Sequence, residues 1–347
     1  MALDGLFYRR YRFSYQGNWM YMGNEKVTWK EAFLASPGPR TMRAAGLLTL
    51  KGVCMGTADI IPGVSGGTMA LITGIYQQLL QAIKSADAKM AARLLKFDLK
   101  GALSALHVRF LLALFLGIGG AIISLARLVN YLLHTHPVFI WSLFFGLIAA
   151  SVLVVSRYVS SWSVTTGLTF IAGGLVAWLI VNAVPVSTPE TAGFIFFSGL
   201  VAICAMILPG ISGAFILLIL GKYEFITGCL KNPFLVDNFI TILIFCAGCL
   251  VGLTGFARVL NLLLDRYYNL TIAFLTGLMA GSLPRIWPWK EVVETKIIRG
   301  KEHVIQVRNM LPDAMDGAFF LAIGLAVVGF AVVLWLERVA AADKPRT

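Results

Sequence analysis

The sequence predicts an all-α polytopic membrane protein of two inverted repeats. Each repeat is a re-entrant or broken helical hairpin followed by three transmembrane helices, and a small extracytoplasmic β-hairpin is inserted in the second. Three observations predict this. Hydrophobic residues make up 58% of the 347 and charged residues 13%, about half the charged share of a soluble domain. The apolar residues gather in runs of about 20, the length that crosses ~30 Å of hydrocarbon. A Pro-Gly-x-Ser-Gly turn occurs twice, at 62–66 and 209–213, each time between two apolar runs with no polar loop.

The composition also bounds the partners. The net charge is +12 at neutral pH. Nearly all of the surplus lies in the flanks and in loops between apolar runs. Such loops are held on the cytoplasmic side by the positive-inside rule and suit anionic membrane lipids, so nucleic acid is not an expected partner. Of the five cysteines, Cys246 and Cys249 form a C-x-x-C. With no partner motif, they read as small packing residues on one helix face rather than a redox or metal site. Neither a metal nor a cofactor is expected. A homo-oligomer is compatible with the sequence.

Residues 1–42 form a basic, aromatic arm (Arg9, Arg10, Arg12, Tyr11, Trp19, Trp29) without the apolar core of a signal peptide, expected at the cytoplasmic interface. The first repeat covers 43–190 and the second 191–338, with 288–316 as an extracytoplasmic insertion and 339–347 as a cytoplasmic tail. Apolar segments fall at about 44–61, 64–83, 108–133, 137–155, 164–184, 192–208, 210–228, 239–264, 270–287 and 317–336. The first two are joined only by Pro62-Gly63, and 192–208 meets 210–228 at Pro209-Gly210. A Pro-Gly pair cannot continue a helix, and so short a connection leaves no room to exit into water. Each pair is therefore expected to break at membrane depth. Between 84 and 109, Leu95, Leu99, Leu103 and Leu106 recur at helical spacing among lysines and arginines, which predicts a helix lying on the cytoplasmic interface. The loose alternation of 291–308 around Arg299-Gly300 predicts a β-hairpin outside the membrane.

The chain aligns with itself. PGVSGGTMALITGIY (62–76) matches PGISGAFILLILGKY (209–223) without gaps, pairing Ser65 with Ser212, Gly66 with Gly213, Gly74 with Gly221 and Tyr76 with Tyr223. A second block pairs Gly117 with Gly248, Arg127 with Arg258, Asn130 with Asn261 and Gly146 with Gly277. Two collinear blocks make a repeat. A hairpin returns to its own side and three spans are an odd number, so the second half starts on the opposite side of the membrane. The connections near 134–136 and 185–191 carry no Lys or Arg, which places both termini in the cytoplasm.

Inverted repeats with broken helices are the architecture of secondary transporters, whose sites lie where half-helix ends meet. At each turn a new helix starts near the serine, with unpaired N–H groups and the positive end of its dipole. Ser65, Gly66, Gly67 and Thr68 from one half and Ser212 and Gly213 from the other are the candidate phosphate-binding residues, with Pro62, Gly63, Pro209 and Gly210 as the helix breaks. The bland alternative is that the serines only cap kinked helices. Arg127 and Arg258 lie within apolar runs at matched positions. Either they coordinate phosphate, since buried cations in lipid are costly, or they snorkel to the interface. Asp59 aligns with Met206 and has no symmetric twin; it and Glu224 are candidates for proton or ion coupling, the alternative for Asp59 being an ion pair with Lys51.

KGVCMGTADIIPGVSGGTMALITGIYQQLL (51–80) together with PGISGAFILLILGKYE (209–224) resembles the PopT family of bacterial polyprenyl-phosphate transporters, with the repeat pattern covering about 44–336. The resemblance implies a non-enzymatic flippase of the cytoplasmic membrane. Its cargo would be undecaprenyl phosphate, the carrier of cell-wall peptidoglycan precursors, returned from the outer to the inner leaflet. Two other readings stay open: an intramembrane polyprenyl-pyrophosphate phosphatase, which would need an acid/base or metal cluster that neither turn contains, and a small-anion transporter or channel.

Overall fold

The computed structural model describes residues 11–13, 19–21, 28–60, 65–183, 186, 188–298, 301–312 and 314–342. Pro62 and Gly63, and the expected hairpin tip Arg299-Gly300, lie outside the described residues. In the arm, β1 (Tyr11–Phe13) and β2 (Trp19–Tyr21) pair antiparallel. Helix α1 (Trp29–Ala35) starts at a capping box in which the Thr28 and Glu31 side chains accept each other's backbone N–H. Ser36 then fastens the arm to the helical body: its hydroxyl donates to the Leu106 carbonyl at 2.7 Å, and its carbonyl accepts from Arg109 Nε at 2.8 Å.

The first half continues with α2 (Met42–Ile60), α3 (Gly66–Ile72) and α4 (Tyr76–Lys84). The segment expected to be one interfacial helix divides into α5 (Ala88–Leu95) and α6 (Leu99–Ala105). Phe97 takes a left-handed backbone (φ 56°), and Asp98 caps α6 by accepting the Gly101 N–H at 2.9 Å. That local side-chain bond competes with helix continuation. Three long helices follow, α7 (Val108–Thr135), α8 (Pro137–Ser156) and α9 (Val164–Val181).

The second half repeats the order with α10 (Ala192–Ile207), α11 (Gly213–Ile219), α12 (Tyr223–Lys231), α13 (Val236–Arg266), α14 (Tyr268–Ser282) and α15 (Gly317–Ala342). Between α14 and α15 lie a 3-10 turn (Leu283–Ile286) and the expected hairpin, β3 (Lys290–Ile298) paired antiparallel with β4 (Lys301–Asn309). Among the described residues, five helices are long and apolar enough to cross a membrane, namely α7, α8, α9, α13 and α15, or six if α11 and α12 are one broken span. The chain is thus a multi-pass, mostly helical membrane protein with small two-stranded sheets.

The apolar runs at 64–83 and 210–228 each contain a further break. Gly74 and Gly221 take left-handed backbones (φ +72° and +63°), a conformation that glycine adopts without a Cβ penalty. After Gly74, the Ile75 N–H bonds the Ala70 carbonyl at 2.9 Å while Gly74 N–H bonds Leu71 at 3.2 Å. After Gly221, Lys222 N–H bonds Leu217 at 2.8 Å and Gly221 N–H bonds Leu218 at 3.0 Å. Both are Schellman caps that satisfy the last carbonyls of a two-turn helix. The second lets α12 leave α11 at 109°.

The long helices cross at glycines. In lipid, apolar side chains gain little by leaving their solvent, so close backbone packing holds helices together. Helix α2 packs on α7 and α10 on α13, each within its own half, whereas α8 packs on α15 and α9 on α14 between halves. A Cβ on Gly146 would strike the Ala326 carbonyl and one on Gly329 that of Leu143; a Cβ on Gly277 would strike the Phe170 carbonyl and one on Gly173 that of Phe274. Gly146 and Gly277 are repeat partners, so one crossing is built twice with the halves exchanged. Within each half, Gly117 against the Thr49 carbonyl and Gly248 against that of Phe196 repeat another crossing.

Gly146→Ala and Gly277→Ala are each expected to lower stability by about 1–3 kcal/mol through overpacking, read as a lower melting temperature in detergent. Gly119→Ala, on an open face of α7, is expected to leave it unchanged or slightly raised.

Candidate functional site

Helix α3 lies at the centre of the bundle, with every residue from Gly66 to Ile72 buried, and touches α8, α10 and α15. Its first turn is closed by its own chain. Ser65, with an extended backbone, caps it by accepting the Gly67 N–H at 3.2 Å. The Gly66 N–H donates to Asp59 Oδ1 at 2.7 Å. Asp59 comes from the last turn of α2, so the carboxylate sits at the positive end of α3, where the helix dipole favours an anion. A Cβ on Gly66 would stand 2.6 Å from that carboxylate, and one on Gly67 2.6 Å from the Ile207 carbonyl. The open backbone expected at these glycines is occupied by Asp59 and by α10.

The break in the second half is held by side chains of the first. Helix α10 ends at Ile207, and Pro209 supplies no N–H. The carbonyls freed there need partners, because no water reaches them in hydrocarbon. Ser65 Oγ donates to the Leu208 carbonyl at 3.1 Å and lies 3.3 Å from that of Met206. The Tyr76 hydroxyl donates to the Ile207 carbonyl at 3.1 Å. Thr68 Oγ1 accepts the Gly210 N–H at 3.1 Å. Gly210 has a left-handed backbone (φ +86°), and a Cβ there would stand 2.9 Å from Met279 Cα.

The second turn is not a copy of the first. Ser212 is half-buried and no side chain caps α11. Met206 stands where Asp59 stands in the first half. Gly213 permits close packing on α10, since its Cβ would lie 2.5 Å from the Ala202 carbonyl. Beside this uncapped turn, the Arg285 guanidinium lies over the Phe215 ring, 4.6 Å from its centroid. Thus the two turns meet, but one is filled by a carboxylate and the other opens beside an arginine.

Other sequence candidates lie elsewhere. Arg127 and Arg258 are exposed, eight residues before Thr135 and eight before Arg266 at the helix ends. Among the described residues, neither forms a hydrogen bond with a turn. Glu224 is half-buried in the first turn of α12. Cys249 Sγ donates to the Gly199 carbonyl at 3.4 Å and Cys246 is exposed, a packing role at the α10–α13 crossing for the former.

Three residues escaped the sequence reading as parts of this site. Tyr76 is buried and bonds across the halves, while its repeat partner Tyr223 is 42% exposed. Lys222 is buried at 1% exposure, donates Nζ to the Thr188 carbonyl at 2.6 Å, and faces the Phe194 and Phe225 rings. Its signal was a lysine at the repeat position of Ile75. Arg285 gave no signal, because a basic residue after an apolar run reads as a loop charge.

The unequal turns give an unequal expectation for the two serines. Ser65→Ala removes partners from both Gly67 and Leu208 in a dry interior and is expected to cost about 1–3 kcal/mol. Ser212→Ala, which removes no cap, is expected to cost under about 0.5 kcal/mol. Thermal unfolding of the two variants in detergent tests the difference; equal losses would contradict it.

Comparison with known proteins agrees with a transporter architecture. The VCA0040-like family model, described as undecaprenyl phosphate translocase-like, matches residues 55–304. A polyprenyl-phosphate transporter from Vibrio cholerae is 42% identical over 298 residues, 84% of this chain and 96% of the relative. A polyprenyl-phosphate transporter from Staphylococcus aureus is 30% identical over 312 residues, 85% of this chain and 97% of the relative. No solved structure matches the chain. With a family model spanning most of its length, and two relatives covered almost end to end, this chain belongs to the undecaprenyl phosphate translocase-like family.

Proposed function

We propose that this protein moves undecaprenyl phosphate from the outer to the inner leaflet of the bacterial cytoplasmic membrane without altering it, returning the carrier of cell-wall precursors. The observation that carries the reading is the junction of two broken helices in the bundle centre, tied by Ser65, Thr68 and Tyr76 to the 207–210 backbone. The relatives, both named polyprenyl-phosphate transporters, supply the cargo class. A charged head crosses hydrocarbon slowly because it must leave water. Fixed N–H dipoles at helix starts replace that water, and the prenyl tail stays in lipid.

In this reading the head is held between Ser65, Gly66, Gly67 and Thr68 on one side and Ser212 and Gly213 on the other. Asp59 occupies the first turn when no head is there, because its carboxylate takes the Gly66 N–H that a phosphate oxygen would take. Arrival of the phosphate displaces Asp59, and protonation of the displaced carboxylate couples transport to a proton. Glu224, at the start of α12, is the second carboxylate we assign to coupling. Arg127 and Arg258, exposed and each eight residues before its helix end, are read as lateral phosphate contacts. The halves are read as inverted, with both termini cytoplasmic; the lack of Lys and Arg in the connections near 134–136 and 185–191 supports this.

Vesicles holding the purified protein are expected to lose outer-leaflet undecaprenyl phosphate faster than protein-free vesicles and to release no phosphate from the pyrophosphate. Steady phosphate release would make the protein a phosphatase, and chloride flux without lipid movement an anion channel. Arg127→Gln and Arg258→Gln are expected to slow transport and the lysine variants to retain part of it; full activity of the glutamine variants would leave only snorkelling.

Topology has its own test. In a cysteine-free background, a cysteine placed at Val292 is expected to react with an impermeant thiol reagent from outside the cell, and one at Arg93 only after the membrane is opened. Labelling of Val292 from the cytoplasm alone would sink the inverted arrangement.

A further inference from the structure

Beneath the hairpin is a cavity of about 410 Å³, bounded by the end of α9, the 3-10 turn after α14, and both strands. That volume is within the usual range for small-ligand sites, ~300–1,000 Å³. Its polar lining is two cations and two amides, Arg285, Arg308, Asn182 and Asn309, with no carboxylate among them. Glu291 lies opposite Arg308 in the strand register, yet the two form no ion pair among the described residues.

Arg285 is the centre of the argument. Its guanidinium is largely withdrawn from solvent, rests on the Phe215 ring, and makes no hydrogen bond among the described residues. Its N–H groups are not sealed in protein and are free to take an acceptor in the cavity they line. A second cation stands close by. Lys290 donates Nζ to the Arg285 carbonyl at 2.6 Å and lies 3.8 Å from the Trp141 ring centroid. Burial, and next the Arg285 charge, push the Lys290 ammonium down to about 7, the response of a cation withdrawn from water beside another cation. The amides are half-committed: Asn182 Nδ2 donates to the Trp178 carbonyl and Asn309 Nδ2 to that of Pro284, both at 2.8 Å. Each keeps one N–H and its oxygen.

We propose that this cavity is an anion site in which Arg285 and Arg308 grip a phosphomonoester dianion, with Asn182 and Asn309 donating to its remaining oxygens. Paired guanidinium forks match phosphate oxygens in a way that a single ammonium does not. The dianion is either free phosphate or the head of a phosphorylated lipid. If it is the lipid head, and here the proposal rests on the transport reading, the cavity is the outer receiving site. Arg285, standing against the first turn of α11, then joins it to the uncapped turn at Ser212.

The test uses the full-length protein in detergent micelles, titrated with inorganic phosphate and followed by 31P NMR line broadening. Wild-type protein is expected to bind phosphate. Arg285→Gln and Arg308→Gln are each expected to weaken binding at least about tenfold, the loss of one charge-assisted contact. Arg308 is exposed, so its variant keeps the fold even if the Arg285 variant does not. Absence of binding by the wild type, or unchanged binding by Arg308→Gln and by a folded Arg285→Gln, overturns the site. Undecaprenyl phosphate added to the micelles is expected to displace phosphate, which assigns the lipid head; phosphate that stays bound assigns the free ion. Wild-type protein that binds phosphate but moves no lipid in vesicles would end the transport reading and leave this site standing.

Discussion

An unpaired backbone N–H or C=O in hydrocarbon costs several kcal/mol, and no water is present to relieve it. This protein breaks helices in its interior, so the rest of the fold depends on where the freed groups find partners. The C-terminal carbonyls of α10 and the Gly210 N–H are satisfied by Ser65, Thr68 and Tyr76 from the other half. The first turn of α3 is satisfied within its own half by Ser65 and Asp59. One serine therefore serves both breaks, and the junction cannot open on one side without exposing backbone on the other. In the proposed transport cycle a phosphate head is the natural replacement partner for the N–H groups, which links occupancy of the junction to its geometry.

The glycine crossings make such a junction compatible with a rigid bundle. Helix pairs in lipid are held by contact, and contact is closest where a glycine faces a carbonyl. Within each half, α2 crosses α7 and α10 crosses α13; between halves, α8 crosses α15 and α9 crosses α14. The four crossings use glycines at matched repeat positions. Each half thus carries one arm of its own and lends two helices to a shared frame. The broken units meet across the halves and carry the junction.

Symmetry of backbone is not symmetry of chemistry. Asp59 aligns with Met206, Ile75 with Lys222, and a buried Tyr76 with an exposed Tyr223. These exchanges leave the first turn closed by an acidic side chain and the second uncapped, with Arg285 beside it. A site for an anion that must both arrive and leave gains from this inequality, since two equally tight turns would retain it.

Much of this was legible in the sequence. Apolar runs, two Pro-Gly turns and two collinear repeat blocks determine a helical membrane protein of two related halves, because hydrocarbon admits few backbone solutions and periodicity records them. The hairpin after α14 was legible for the same local reason. The second breaks at Gly74 and Gly221 were present as aligned glycines, but a glycine in an apolar run does not announce a left-handed cap. The tertiary structure alone decided which groups the site residues touch. Gly66 and Gly67 read as room for a ligand, yet that space holds Asp59 and the α10 backbone. Arg127 and Arg258 read either as phosphate ligands or as snorkelling cations, and both are exposed away from the two turns, while Arg285, which read as a loop charge, is withdrawn from solvent against Phe215. Depth and contact depend on how helices distant in sequence are placed, and no local pattern encodes that placement.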